Sequence, residues 1–184
     1  IHAGQEPDKS TGAIITPIYQ TSTYIQEGVN IHKGYEYSRT GNPTRSALET
    51  CLAALENGTY GLAFASGLAA EHAVLSLLKP GDHVIAAADM YGGTYRLFEE
   101  IFKPLGLKFS YVDGAITDFE AAITPETKMF WIESPTNPTL KVYDIIKLSV
   151  MAKLRHITVT VDNTFASPYL QQPLSLGSDI VVHS

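Results

Sequence analysis

From Pro43 onward, short apolar runs alternate with helix-like stretches, and this alternation constrains the fold more than any other feature of the chain. Val84-Ile85-Ala86-Ala87-Ala88 is apolar at every position. A strand with one wet face alternates in polarity, whereas a strand apolar throughout is covered on both faces, as in parallel sheets packed between helices. The pattern predicts strands over 60–65, 83–88, 107–112, 128–132, 157–161 and 179–182. It predicts helices over 44–56, 67–78, 93–103, 118–123 and 142–155. Pro43 suits a first helical turn, where a missing N–H costs nothing. Leu48, Cys51, Leu52 and Leu55 fall on one stripe of the first helix, so Cys51 reads as a core residue. Repeated βα units imply an α/β fold with a mostly parallel sheet and right-handed crossovers.

Residues before this region lack any sustained period. They hold Gly4, Gly12, Pro17 and Gly28 between short β-prone pieces and read as an extended arm. The expected organisation is an N-terminal arm over 1–36 and one α/β domain over 37–184. An arm with apolar residues and no core of its own packs on something else, such as another subunit. The 13 Lys+Arg against 19 Asp+Glu give a net charge of −6, which argues against nucleic acid and anionic membranes as partners. No apolar run approaches the roughly 20 residues of a membrane span. The lone Cys51, with no signal-peptide pattern at the start, points to a reducing cytoplasm. The six histidines are scattered without metal-ligand spacing, which argues against zinc. Asn57-Gly58-Thr59 reads as a turn.

Ligands of open α/β sheets bind beyond the carboxyl ends of the strands. Polar residues collect at those ends: Ser66-Gly67, Asp89-Met90-Tyr91, Glu133-Ser134, Asp162-Asn163 and His183-Ser184. Ser66-Gly67-Leu68 runs from a predicted strand into a helix, and a helix start with free N–H groups can hold a phosphate. The same residues also suit a plain helix cap with close packing. Asp162 ends an apolar strand, where a carboxylate is costly without a partner. It serves either a buried cation or a structural cap. Tyr91 lies in a glycine-containing turn and can stack on a flat ligand or be an ordinary half-buried tyrosine. Asn137 stands between two prolines, aimed at a ligand or simply part of a rigid turn. Tyr37 and Arg39 make a phosphate clamp or the approach to the Pro43 helix. Neither a dinucleotide nor a nucleoside-triphosphate glycine motif is present.

Taken together, these residues resemble the Cys/Met-metabolism family of pyridoxal-phosphate (PLP) enzymes. Tyr37-x-Arg39-x-Gly41-Asn42-Pro43-Thr44, Ser66-Gly67-Leu68, Tyr91, Asn137, Asp162, Thr164 and Ser184 carry the resemblance, which runs over essentially the whole chain. It implies the large domain of a fold-type-I PLP enzyme. In that reading Tyr37 and Arg39 reach a neighbouring subunit's cofactor phosphate, and Ser66, Gly67, Leu68 and Ser184 hold the phosphate. Tyr91 stacks on the pyridine ring and moves protons, and Asn137 lies near the phenolic oxygen. Asp162 keeps the ring nitrogen protonated, with Thr164 close by. The resemblance also implies a Schiff-base lysine three residues past Ser184 and a smaller C-terminal domain, so the chain is expected to be part of a longer protein. A homo-oligomer is implied, a tetramer of two catalytic dimers acting on a small amino-acid substrate.

Within the family, the stretches 34–39 and 63–69 look most like the branch that eliminates at the γ carbon of cystathionine. Glu36 there resembles an acidic residue that meets the substrate's distal amino group. Gly93 stands where methionine γ-lyases carry a cysteine. The γ-synthases are the alternative, followed by methionine γ-lyase and O-acetylhomoserine sulfhydrylase. A phospho-ligand-binding domain and an oligomerisation module are the non-enzymatic alternatives.

Overall fold

The computed structural model describes residues 1–113 and 115–184. They cluster into two units, Ile1–Ala63 and Phe64–Ser184. The residues expected to form the arm lie in the first unit, together with helix α1 (Pro43–Leu55).

Hydrogen bonds organise the first unit more than apolar packing does. The Asn42 side chain caps α1 by accepting the Thr44 N–H at 2.9 Å. Its amide donates to the Tyr19 carbonyl at 2.9 Å and to Ser38 Oγ at 3.1 Å. Thr44 Oγ1 donates to the Pro17 carbonyl at 2.8 Å. One side chain thus starts the helix while lacing the arm to it. Isolated bridges pair Thr23 with Tyr37 and Gly28 with Ile31.

The apolar stripe of α1 is not a core within this unit. Only Ala47 of α1 is buried, while Leu48 is 50% and Leu52 38% exposed. Cys51 is partly exposed, its Sγ donating to the Ile1 carbonyl at 3.2 Å. Periodicity marks a face that can be covered, and no second helix or strand of the described residues in this unit lies there to cover it. The strand expected over 60–65 is also absent, with Tyr60 89% and Leu62 75% exposed. A strand requires a neighbour's N–H and C=O groups. Among the described residues no strand pairs with this run.

The second unit runs α2 (Gly67–Leu75), β1 (His83–Ala87), α3 (Gly92–Arg96), β2 (Lys108–Val112), α4 (Ile116–Ala121), β3 (Thr127–Glu133), α5 (Ile145–Lys153), β4 (Thr158–Asp162), α6 (Ser167–Leu170) and β5 (Ile180–Val182). The strands form one parallel sheet in the order β2-β1-β3-β4-β5. Strand alternation divides the core into two layers. Val84, Ala86, Met129, Trp131 and Val182 meet Leu75, Phe98 and Phe102 on one face. Ile85, Phe130, Ile132, Val159 and Val161 meet Phe119, Ile145, Leu148 and Met151 on the other. Phe98 stacks on Phe109 with centroids 4.7 Å apart and stands edge-on to Trp131 at 5.3 Å. Each large side chain buried this way contributes about 1.5–3 kcal/mol.

Four predicted helices differ in extent by two residues or more, the one expected over 118–123 forming over Ile116–Ala121. The second closes at Leu75 rather than 78. The helix expected over 93–103 is α-helical only to Arg96 and continues over Leu97–Phe102 as a π-helical segment, in which the Lys103 N–H reaches the Phe98 carbonyl. The helix expected from 142 begins at Ile145, because the Asp144 carboxylate accepts the Lys147 N–H at 3.0 Å and sets the cap there. No helix of the described residues is long and apolar enough to cross a membrane.

Candidate active site

A cavity of about 380 Å³ opens at the carboxyl ends of the strands, within the size range of small-ligand sites. Its wall brings together Ser66, Gly67, Leu68, Tyr91, Asn137, Asp162, Thr164 and Ser184, every expected site residue of the second unit. Glu36, Tyr37 and Arg39 belong to the first unit. There Glu36 pairs with His32 Nε2 at 2.9 Å, and the Arg39 guanidinium lies 4.9 Å from the centre of the Tyr37 ring. That stacking leaves the guanidinium edge without an ion pair among the described residues.

The anion end of the cavity is the start of α2. Ser66 Oγ accepts the Ala69 N–H at 3.1 Å, and the Ser66 carbonyl accepts the Ala70 N–H at 3.1 Å. Helix geometry leaves the N–H groups of Gly67 and Leu68 without intrahelical partners, at the positive end of the helix dipole. Gly67 is required by a close approach: a Cβ there would stand 2.7 Å from Ser184 Cβ and 2.9 Å from its Oγ. The Ser184 N–H is in turn held by Thr164 Oγ1 at 3.0 Å. The Thr164 N–H donates to Asp162 Oδ1 at 2.9 Å.

The opposite requirement, a place for a cation, is met by carboxylates. Glu133 and Asp162 are register partners at the ends of β3 and β4, 5% and 7% exposed. Glu133 Oε2 accepts the Tyr91 N–H at 2.7 Å and Oε1 accepts the Asn137 N–H at 2.5 Å. One side chain therefore holds the two segments that carry the aromatic wall and the Asn137 amide. Burial pushes the Glu133 carboxyl up from 4.5 to about 7, opposed by these two N–H bonds and reinforced by the charges of Asp162 and Asp89. Asp89, at the end of β1, accepts Thr136 Oγ1 at 2.6 Å and also bonds Thr139 Oγ1. Both hydroxyls hold its carboxyl below the usual range. The Ser134–Pro135 and Asn137–Pro138 peptides of the intervening loop are cis.

Tyr91 is 44% exposed and its ring lies directly on Gly93, where a Cβ would stand 2.3 Å from Tyr91 Cε1. Three lining residues, Glu71, Glu133 and Phe165, were not among the expected site residues. Glu133 carries the same signal as Asp162, a carboxylate ending an apolar strand. Phe165 follows Thr164 directly. Glu71 sits inside a helix and gives no signal in sequence, since a helical glutamate ordinarily faces water.

A parallel α/β sheet with a helix-start anion site, an aromatic wall and a buried carboxylate suits a flat, phosphorylated, cationic ring. PLP has that chemistry, and these residues fit it. Residues 1–184 match the family described as Cys/Met metabolism PLP-dependent enzyme. The chain belongs to that family, which settles the fold class and the cofactor. It is 56% identical over its whole length to a probable cystathionine gamma-synthase of Herpetosiphon aurantiacus, covering 58% of that protein. It is 55% identical to a cystathionine beta-lyase of Coxiella burnetii, covering all of this chain and 48% of that one. It superposes on the crystal structure of cystathionine gamma-lyase from Lactobacillus plantarum complexed with L-serine with a TM-score of 0.96 and 49% identity, covering all of this chain and 48% of that one. The chain thus spans about half the length of the relatives it matches. Their names divide among three activities, one of which, β-elimination, the sequence reading did not weigh.

Proposed function

We propose that the protein is a PLP-dependent enzyme that breaks the carbon–sulfur bond at the γ carbon of cystathionine, giving cysteine, 2-oxobutyrate and ammonia. One observation carries the cofactor part of this reading: a single cavity joins the free N–H groups of α2 to the carboxylate of Asp162, with Tyr91 on its wall; the choice of the γ carbon rests on the resemblance of stretches 34–39 and 63–69 to the γ-eliminating branch. Bound there, PLP supplies an electron sink for the carbanion formed at the substrate Cα. The protein's own residues do the rest. The N–H groups of Gly67 and Leu68, with Ser66 and Ser184, hold the phosphate. Asp162 keeps a positive ring nitrogen in place, and Thr164 orients Asp162 by donating its N–H. Asn137, on the cavity wall, would lie near the phenolic oxygen. Tyr91 covers the ring and handles the proton at the departing sulfur.

The residues 1–36 form an arm and 37–184 the PLP-binding large domain, completed by a lysine and a C-terminal domain in the working enzyme. Tyr37 and Arg39 grip the phosphate of a second subunit, and Glu36 meets the distal amino group of the substrate. The active form is a tetramer of two such pairs. Synthesis of cystathionine from an activated homoserine is the second reading, favoured by the 56% identical relative named a probable gamma-synthase.

Product analysis separates these reactions. The full-length protein is incubated with PLP and cystathionine, or with cysteine and an acylated homoserine. Release of 2-oxobutyrate from cystathionine is the expected result. Pyruvate with homocysteine indicates β-elimination, and formation of cystathionine indicates the synthase. Either of those two outcomes as the dominant one overturns the γ-lyase reading. A full-length protein that stays colourless with excess PLP overturns the cofactor site itself.

A further inference from the structure

Glu71 lies on α2, four residues past Gly67, and lines the same cavity as Glu133 and Asp162. It is 4% exposed. Its Oε1 accepts the hydroxyl of Thr94 at 3.0 Å, and Thr94 is fully buried on α3, three residues past Tyr91. Its Oε2 is buried and has no hydrogen-bond partner among the described residues. An ionised carboxylate buried with an unpartnered oxygen is among the costliest arrangements in a protein, and a neutral acid is far cheaper. Glu133 differs, because both of its oxygens accept backbone N–H groups. Of the two glutamates, Glu71 is therefore the one whose surroundings favour the proton.

We propose that Glu71 is a positioning residue of the cofactor pocket, a protonated acid that ties the phosphate-binding turn to the Tyr91 segment through Thr94 and spares the pocket a third negative charge. The proposal deepens the PLP reading and rests on it. The tie runs from α2 through Glu71 and Thr94 to α3, then from the Tyr91 N–H through Glu133 to Asn137. Phosphate turn, aromatic wall and Asn137 are thereby joined by two glutamates.

The electrostatics agree with this geometry. Burial raises the Glu71 carboxyl from 4.5 to about 7, the Thr94 bond opposes that, and the charges of Asp162 and Glu133 add to it. The elements packed against α2 are α3, the π-helical segment and β5. Of their charged groups, Glu99 is paired with Lys103 and bonded to Tyr111, Arg96 and Glu100 belong to the same helical stretch, and His183 follows β5. His72, next to Glu71 on α2, packs tilted against the Phe102 ring with centroids 5.0 Å apart. The charges that act on Glu71 are those of Asp162 and Glu133, both negative. Ionisation of Glu71 thus adds negative charge to a cavity that must accept a phosphate.

The sign of the resulting pH dependence is fixed. An acid with a raised folded value stabilises the fold fully below its unfolded value, and that stability is lost as pH climbs from 4.5 toward about 7. Glu71→Gln keeps the acceptor for Thr94 and stays neutral at every pH. In PLP-free full-length protein, the melting temperature of the Gln variant relative to wild type is expected to rise by a few degrees between pH 5 and pH 8. In the PLP-loaded protein, the dissociation constant for PLP is expected to worsen from pH 6 to pH 8.5 more in wild type than in the Gln variant, by up to roughly tenfold per pH unit for one proton. Glu71→Leu, which removes the Thr94 acceptor, should bind PLP more weakly at every pH. Parallel melting profiles of wild type and the Gln variant overturn the proposal, and so do parallel PLP-affinity profiles. Failure of wild type to bind PLP overturns the functional reading instead, and the cofactor-free melting comparison still judges Glu71.

Discussion

The ring of Tyr91 occupies the space in which a side chain on Gly93 would begin, 2.3 Å from Cε1 to the position of a Cβ. The residue two places on therefore sets where the aromatic wall of the cavity stands. The Tyr91 main chain is held separately, by the bond from its N–H to Glu133.

Gly93→Ala consequently displaces the Tyr91 ring while leaving its backbone anchored. We expect kcat/KM to fall by about tenfold to a hundredfold, the scale of a misplacement near 1 Å at a reacting centre. PLP content should change little. Steady-state kinetics combined with cofactor titration checks this, and unchanged kinetics would mean that the ring position does not matter.

Gly67→Ala places a Cβ against Ser184 and pushes the helix start away from it. The expected effect falls on the cofactor rather than on turnover. Affinity for PLP should drop by about tenfold or more, the value of one charge-assisted hydrogen bond. Equilibrium dialysis against PLP measures it, with circular dichroism to verify the fold.

If Asp162 pairs with the cofactor's ring nitrogen as proposed, Asp162→Asn removes that counter-charge. Breaking one half of a buried ion pair costs about 3–5 kcal/mol, so activity should fall by at least about a hundredfold. The Thr164 N–H keeps an acceptor in the asparagine Oδ1, and the fold should persist. Activity within a few-fold of wild type would assign Asp162 a purely structural role.

Shared sites are tested by mixing. Arg39→Ala subunits and Asp162→Asn subunits should each be weakly active alone. If Arg39 serves a neighbour's phosphate, a mixed pair contains one site with both defects and one with neither, and activity returns. Verified subunit exchange without recovery would place Arg39 at its own subunit's site.

Asp162 and Ser66-Gly67-Leu68 were legible in the sequence because their signals are local. A carboxylate ending an apolar run, or small residues opening a helix, states its own cost or use within a few positions. The same logic was available for Glu133, whose run Met129-Phe130-Trp131-Ile132 is as apolar as that before Asp162. The covered parallel sheet was legible for the same reason, since β1 and nearly all of β3 are buried along their lengths.

Tertiary structure alone decided the remainder, because burial and pairing belong to a residue's neighbours rather than to its segment. Glu71 reads as a solvated helical glutamate until α3 and the sheet close over it. The stripe containing Cys51 has a core residue's period, yet Leu48 and Leu52 stay exposed and Cys51 is only partly covered. Residues 60–65 have a strand's composition without a strand's partner. The sequence by itself determined which segments can be strands, which helix start can hold an anion and which strand ends carry charge. Only packing determined which apolar faces are covered, which carboxylates lose water, and that the Tyr91 ring lies against Gly93.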